Sequence, residues 1–259
     1  MTPRAREVLE RVDFVASEDT RVGGKLLMLL GIKKPLVSYH EHTGKGATLS
    51  IIERIQSGES CALITDAGTP AVSDPGEKLV SACVEAGVEI TALPGACAAV
   101  TAISASGLAS RRFCFEGFLP ENKRERRDRI DELSREKRTF ILYISPHDVE
   151  SYLPELANAL NDRKCVLAKE LTKMHERYFR GTVGEIAEKF QTLSPSEKKG
   201  EFVMICEGMN EEDAFWKEMT VEEHVEHYIS LGLSKMDACK ATARDRGVGK
   251  GEIYKAVNN

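Results

Sequence analysis

The chain has 259 residues, 42% hydrophobic and 30% charged, with a formal net charge of −5. That length predicts two modest α/β cores, and the negative balance excludes a global basic field, so nucleic-acid contacts must come from local patches. No run of about 18 apolar residues exists and no signal-peptide pattern opens the sequence, which predicts no membrane span; the cysteines at 61, 83, 97, 114, 165, 206 and 239 form no Cys-x-x-Cys pair and read as small buried hydrophobes of a reducing, cytoplasmic setting.

In chain order, periodicity predicts helix 3–11, strand 12–16, helix 21–30, strand 36–39, helix 46–57, strand 61–65, helix 76–86, strand 88–93 and helix 95–106. Such alternation means a parallel, doubly wound sheet. The most informative stretch is 61–76, where a short apolar strand runs into Asp66-Ala67-Gly68-Thr69-Pro70, a loop whose small residues permit close backbone approach to a ligand. Asp74-Pro75-Gly76 then reads as a helix start, with Asp74 as N-cap and Pro75 at the first helical position. A second unit of the same kind follows, the strand ending at Leu93 and Pro94-Gly95-Ala96-Cys97-Ala98-Ala99 opening a helix of very small residues. Tight packing against the sheet would explain that helix alone; two such loops from successive strands point to a ligand site.

Past Gly107 the pattern restarts with strands 113–118, 139–144, 165–170, 178–182 and 202–207, and 177–182 with 201–206 as antiparallel partners makes the second sheet mixed. The expected organisation is a first α/β domain over 1–108, a second over 109–209, an acidic linker or helix over 210–230 and a basic helical hairpin over 231–259. Glu211, Glu212, Asp213, Glu218, Glu222, Glu223 and Glu226 make the linker acidic. In the hairpin, Lys235, Lys240, Arg244, Arg246, Lys250 and Lys255 outnumber the acidic residues, Ser234 with Asp237 resembles a capping box, and Gly247 can stop the helix. A solvated hairpin and an RNA-binding appendage both remain open readings of it. After Pro120, Lys123, Arg124, Arg126, Arg127 and Arg129 fall within seven positions, with Arg111 and Arg112 upstream. That density favours phosphate contact over a merely solvated face, and Lys169 and Lys173 extend the path. His40-Glu41-His42 ends a strand, but no third ligand is evident, and His224 and His227 lack further ligands, so no metal is expected.

Five ordered segments carry a resemblance: Ser17-Glu18-Asp19-Thr20-Arg21, Asp66 to Gly76, Leu93 to Ala99, Arg112 to Pro120, and Lys169-Glu170-Leu171-Thr172-Lys173. Together they resemble the ribosomal RNA small subunit methyltransferase I family, ribose 2′-O-methyltransferases of the tetrapyrrole methylase superfamily. The resemblance implies the two-domain tetrapyrrole methylase-like fold, S-adenosylmethionine held in the cleft between the domains, methyl transfer to a ribose of small-subunit ribosomal RNA (a decoding-region cytidine) or of the small ribosomal subunit, and a homodimer. Carried over by motif, the cofactor contacts are Asp66, Gly68, Thr69, Pro70 and Val72 in the first loop and Gly95, Ala96 and Cys97 in the second. Tyr143 to Ser145 and Leu167-Ala168 are candidates for the adenine side. Some group should take the hydroxyl proton, and Glu18, Asp19, His40, Glu41, His42 and Glu170 are available. Glu18, Asp19 and Arg21 are the expected catalytic residues, while Thr20 is expected to cap the following helix.

Two departures from the family pattern stand out. Family members begin with an apolar strand and a Thr-Pro-Ile-Gly-Asn loop, whereas this sequence begins at Met1-Thr2-Pro3-Arg4-Ala5, so the first sheet is expected to lack one strand and one cofactor loop. Ile144 stands where the family commonly has Glu before Ser145-Pro146-His147. The competing readings are a small-molecule tetrapyrrole methylase, against which the Arg-rich helix speaks, and a catalytically impaired RNA-binding or assembly protein of the same fold. A Gly-x-Gly-x-x-Gly dinucleotide site is absent.

Overall fold

The computed structural model describes residues 1–210 and 216–258; the acidic residues Glu211, Glu212 and Asp213 lie outside them. The chain divides into two compact units, Met1–Ala105 and the remainder from Ser106. Among the described residues, no helix is long and apolar enough to cross a membrane.

The first unit contains α1 (Pro3–Arg11), β1 (Phe14–Ser17), α2 (Thr20–Leu30), β2 (Leu36–Ser38), α3 (Lys45–Gln56), β3 (Cys61–Ile64), α4 (Glu77–Glu85) and α5 (Ala98–Ser106). Its sheet is parallel in the order β2-β1-β3. The two-residue period of β1 sorts the core. Phe14 and Ala16 pack with Ile51, Ile52, Leu79 and Cys83 of α3 and α4, whereas Val15 packs with Leu9 of α1 and Leu27 of α2. Burying both faces of one strand under helices is what a doubly wound sheet requires.

One expected strand is missing. Residues 88–93 carry no strand pairing: Val88 joins the cluster around Leu79 and Cys83, but Ile90 is 44% exposed. Apolar composition supplies strand propensity; a ladder also needs a neighbour, and β3 pairs only with β1 among the described residues. Helix α5 begins at Ala98, three residues later than periodicity predicts.

The second unit comprises β4 (Phe113–Phe118), α6 (Lys123–Leu133), β5 (Thr139–Ile144), α7 (Val149–Leu160), β6 (Lys164–Lys169), β7 (Arg177–Thr182), α8 (Val183–Gln191) and β8 (Phe202–Cys206), then α9 (Val221–Ser230), α10 (Lys235–Arg246) and α11 (Lys250–Asn258). Its five-stranded sheet runs β4-β5-β8-β6-β7, parallel between β4 and β5 and antiparallel elsewhere. The sheet is therefore mixed, although β7 and β8 are not partners of each other; β6 lies between them and pairs with both. Phe140, Leu142 and Ile144 of β5 bury one face against α6, α7 and α8. The C-terminal helices have a small core of their own, built on Val225, Ala238, Cys239, Ala243 and Ile253.

Two of the boundary devices are sharp. Thr182 and Glu185 form a reciprocal capping box at the start of α8, as do Thr220 and Glu223 at α9. Ser234 caps α10 by accepting the Asp237 amide, but its hydroxyl in turn donates to the Asp237 carboxylate, so the reciprocal backbone half of the box is absent. Arg163 is inserted under the carboxyl end of α6, donating to the carbonyls of Leu133, Ser134 and Glu136.

Arg126 has its side chain 9% exposed, donates through two nitrogens to the Glu155 carboxylate at 2.8 and 3.1 Å, and also reaches the carbonyls of Pro120 and Glu121. Removing one partner of so enclosed a pair leaves the other charge uncompensated. Arg126→Ala is expected to destabilise the protein by about 3 kcal/mol, whereas Arg124→Ala, on an exposed site, should change stability by less than about 0.5 kcal/mol. Urea unfolding of the two variants checks this; equal midpoints would contradict the assignment of Arg126 to the interior.

Candidate functional site

The carboxyl ends of β1 and β3 lie side by side because the strands are parallel neighbours, with Ser17 opposite Ile64. The loops leaving the two strands are therefore brought together. The Asp66 amide donates to the Glu18 carboxylate at 3.2 Å, and the Asp19 amide donates to the Asp66 carboxylate at 3.3 Å. These crossed bonds fix the two loops to each other.

Asp19, expected to be catalytic, is the N-cap of α2. It accepts from the Arg21 amide at 2.8 Å and is paired with the Arg21 guanidinium at 2.5 Å. Bonding to Arg21 holds its carboxyl down at about 2, which makes it a poor proton acceptor at neutral pH. Thr20, expected to be the cap, is instead the first residue of the helix. Glu18 remains at the strand end, half-buried, with Asp66 exposed beside it.

The loop after β3 is tightly shaped. Gly68 has φ of 80°, and a Cβ there would lie 2.9 Å from Asp74 Oδ2; Gly76 has φ of 137°, and its Cβ would lie 2.6 Å from Leu63. Ala71 and Ser73 also adopt left-handed backbone, at φ of 66° and 57°. Asp74 does not cap α4, whose N-cap is Gly76 without a side-chain bond. Its carboxyl faces Gly68, and burial, reinforced by Glu18 and Asp66, pushes it up to about 6.

The second loop joins the first through one bond: Thr69 Oγ1 donates to the Ala96 carbonyl at 2.8 Å. Gly95 and Ala96 are exposed, Cys97 half-buried. A Cβ built on Gly95 meets nothing nearer than the Leu93 carbonyl, at 4.0 Å. Open space therefore stands over this backbone, as an approaching ligand requires. Asp66, Gly68, Thr69, Pro70, Val72, Gly95, Ala96 and Cys97 thus belong to one end of the first sheet.

Residues expected from the second unit fare differently. Leu167 and Ala168 are 0% exposed, on a strand paired along both edges, so their side chains are buried in this structure. Tyr143 is half-buried in edge contact with Phe115 and Phe118, at 5.0 and 5.5 Å between centroids. Glu170, at φ of 51°, accepts from the Lys173 ammonium and the Glu201 amide, which lowers its pKa. The exposed rings of His40 and His42 stand 6.3 Å apart, and no group of three or more metal-ligating side chains occurs among the described residues.

The basic residues also sort by surroundings. Arg111, Arg112, Lys123, Arg124 and Arg127 are exposed. Arg126 is turned inward to Glu155, Arg129 is paired with Glu116 and Glu132, and Lys169 is buried with its ammonium on the Glu197 carbonyl. These three have structural partners in place of the phosphates expected for them. The same unit holds a network that sequence reading discounted: His224, fully buried, lies between Asp245 and Arg246. Its signal was the i, i+4 spacing of His224 and Tyr228 on α9, which share one face.

Residues 1–187 match the family model described as Tetrapyrrole (Corrin/Porphyrin) Methylases. The chain is 41% identical over 263 residues to Ribosomal RNA small subunit methyltransferase I of Bacillus subtilis, covering 100% of this chain and 89% of that protein. It is 44% identical over 214 residues to the protein of the same name from Haemophilus influenzae, covering 82% and 75%. In fold it is similar to the methyltransferase CobJ, with a TM-score of 0.58, 17% identity and coverage of 80% and 88%. It is also similar to uroporphyrin-III C-methyltransferase from Thermus thermophilus complexed with S-adenosylhomocysteine, with a TM-score of 0.53, 15% identity and coverage of 79% and 90%. The chain therefore belongs to the tetrapyrrole (corrin/porphyrin) methylases and, among them, to the ribosomal RNA small subunit methyltransferase I proteins.

Proposed function

We propose that this protein transfers the methyl group of S-adenosylmethionine to a ribose 2′-hydroxyl of small-subunit ribosomal RNA, a decoding-region cytidine in the finest form of the reading. The single observation that carries it is the Thr69 to Ala96 hydrogen bond, which joins the two small-residue loops at the carboxyl end of the first sheet. In support stand the relatives named for ribosomal RNA methylation and a fold neighbour complexed with S-adenosylhomocysteine.

The residues present suit that cofactor. Open space over Gly95 accommodates a ligand against the backbone, and the carboxylates of Glu18, Asp66 and Asp74 favour a cation. Asp66, Gly68, Thr69, Pro70, Val72, Gly95, Ala96 and Cys97 would hold it. When bound, the cofactor supplies an electrophilic methyl group on a sulfonium. The loops fix position, the larger part of such a displacement. Arg21, tied to Asp19, orients the first turn of α2. Asp74, with its pKa near 6, is the carboxylate here best matched to receiving the hydroxyl proton at neutral pH. The exposed Arg111, Arg112, Lys123, Arg124 and Arg127 serve as phosphate contacts. The protein acts in the cytoplasm as a homodimer.

Gly95→Val tests the cofactor site. Calorimetry with S-adenosylhomocysteine should show affinity falling at least a hundredfold with little change in melting temperature, since the new side chain enters open space. Retained binding would refute the placement.

Asp74→Asn tests both proton transfer and linkage. The folded pKa lies above the ordinary carboxyl value of 3.8, so the folded state keeps a proton that the unfolded chain has lost. Stability contributed by the protonated form is present at low pH and declines as pH rises from about 4 to about 6. The Asn variant should lack that decline and be the more stable form at pH 7. Methyl transfer by the parent should rise through pH 6, and the variant should lose that limb. A wild-type stability profile flat across this window contradicts the assignment.

The quadruple variant of Arg111, Arg112, Arg124 and Arg127 to Ala should weaken binding to RNA irrespective of sequence. For single-stranded RNA its log Kd against log salt slope should flatten by roughly 0.7 per lost contact. An unchanged slope would leave those arginines as a solvated face.

A further inference from the structure

A groove of about 910 Å³ is formed in the second unit where α10, α11 and the segment before α9 meet the end of α6, and its walls include Arg135, Lys137, Trp216, Lys217, Arg244 and Arg246. We propose that this groove binds the phosphate backbone of an RNA strand, a second RNA contact separate from the arginines around α6; the choice of RNA as the polyanion rests on the methylation reading above.

The groove is built on a fixed charged floor. Asp245, its side chain 2% exposed, accepts from Arg135 Nε at 3.0 Å and from the Tyr228 hydroxyl, and lies 3.2 Å from His224 Nε2. Arg246 donates to His224 Nδ1 at 3.1 Å and to the carbonyls of Met219 and Thr220 at 2.6 and 2.9 Å. Because Nδ1 accepts from Arg246, the imidazole proton sits on Nε2 and donates to Asp245. The ring is thus neutral, and burial lowers its pKa in the same direction. It is stacked between Trp216 and Tyr228, at 5.4 and 5.3 Å.

Two guanidiniums are therefore held in place by partners of which, among the described residues, Asp131 and Asp245 carry charge, and their donors are largely committed. They set the field of the groove rather than grip a ligand. The groups left to grip are at the rim. Lys217 is exposed, and the Arg244 side chain is 61% exposed, with Asp131 as a distant ionic neighbour at 3.9 Å. They come from different elements, the segment before α9 and the last turn of α10, and so offer two positive points at the rim of one groove, which successive phosphates of a strand can engage together.

Trp216 is the only tryptophan in the sequence and it lines the groove, so its fluorescence reports occupancy. Titrating the full chain with a single-stranded RNA oligonucleotide should change that fluorescence. The double variant Lys217→Ala, Arg244→Ala should bind the RNA about tenfold more weakly, and its salt slope should fall by roughly 1.4 for two lost contacts. Affinity for S-adenosylhomocysteine should stay as in the parent. An unchanged affinity and slope overturns the proposal, as does equal competition by polyglutamate, which would make the groove a site for an acidic protein. If the parent transfers no methyl to small ribosomal subunits yet the double variant loses RNA affinity, the methylation reading falls and the groove stands. If the parent methylates and the double variant matches it in KM for RNA and in salt slope, the groove falls alone.

Discussion

Parallel pairing of β1 with β3 is the constraint on which the candidate site depends. Neighbouring parallel strands must end on the same edge, so the segments after Ser17 and Ile64 cannot avoid each other. The crossed bonds of Asp66 with Glu18 and Asp19, and the raised pKa of Asp74, result from that enforced proximity. Like charges gathered at one edge cost free energy, and here the cost falls on Asp74, whose burial does most to hold its proton. A cation placed at that edge would relieve the repulsion. The same arrangement is thus unfavourable in isolation and suited to a positively charged ligand.

In the second unit, arginines divide between holding the fold and reaching outward, and burial decides which. Arg126 and Arg163 serve carbonyls and one carboxylate inside the unit, Arg135 and Arg246 brace the C-terminal helices, and Arg124 and Arg127 are left to solvent. Counting basic residues in sequence therefore overstates the electrostatic surface. It also conceals why the C-terminal helices stay attached: Asp245 joins α10 to the segment just after α6 through Arg135, so the appendage is fixed by a charge as well as by its own small core.

Much of this was legible beforehand. The alternation of elements, the two small-residue loops and the five ordered motifs depend on local pattern, and local pattern survives folding. The inward turn of Arg126 escapes the sequence reading, which groups it with its basic neighbours as a phosphate contact, although Arg126, Ile130 and Leu133 are spaced i, i+4, i+7 and share the buried face of α6. Other features depend on partners distant in sequence. Residues 88–93 have strand composition, yet whether a ladder forms depends on a neighbour that no window of sequence reveals. The cap of α2 was missed by one residue because Asp19 and Thr20 are both good caps, and the choice between them is made by backbone geometry. The His224 network shows in sequence only as the His224–Tyr228 spacing on α9; its bonds to Asp245 and Arg246 join residues about twenty positions apart on separate helices.

The contrast between the two sheets bears on how the molecule breathes. Strands β5, β6 and β8 are laddered on both edges and nearly all buried, whereas β3, which leads directly into the candidate site, is laddered on one edge among the described residues and only half-buried along its length. Amide protons report such differences, and opening should be easiest where pairing is single and burial incomplete. The loops between Asp66 and Cys97 are therefore carried by the more readily opened sheet. A ligand seated there would slow the exchange of that sheet's amides far more than those of the five-stranded one, and occupancy of one small site would set how often a whole unit comes apart.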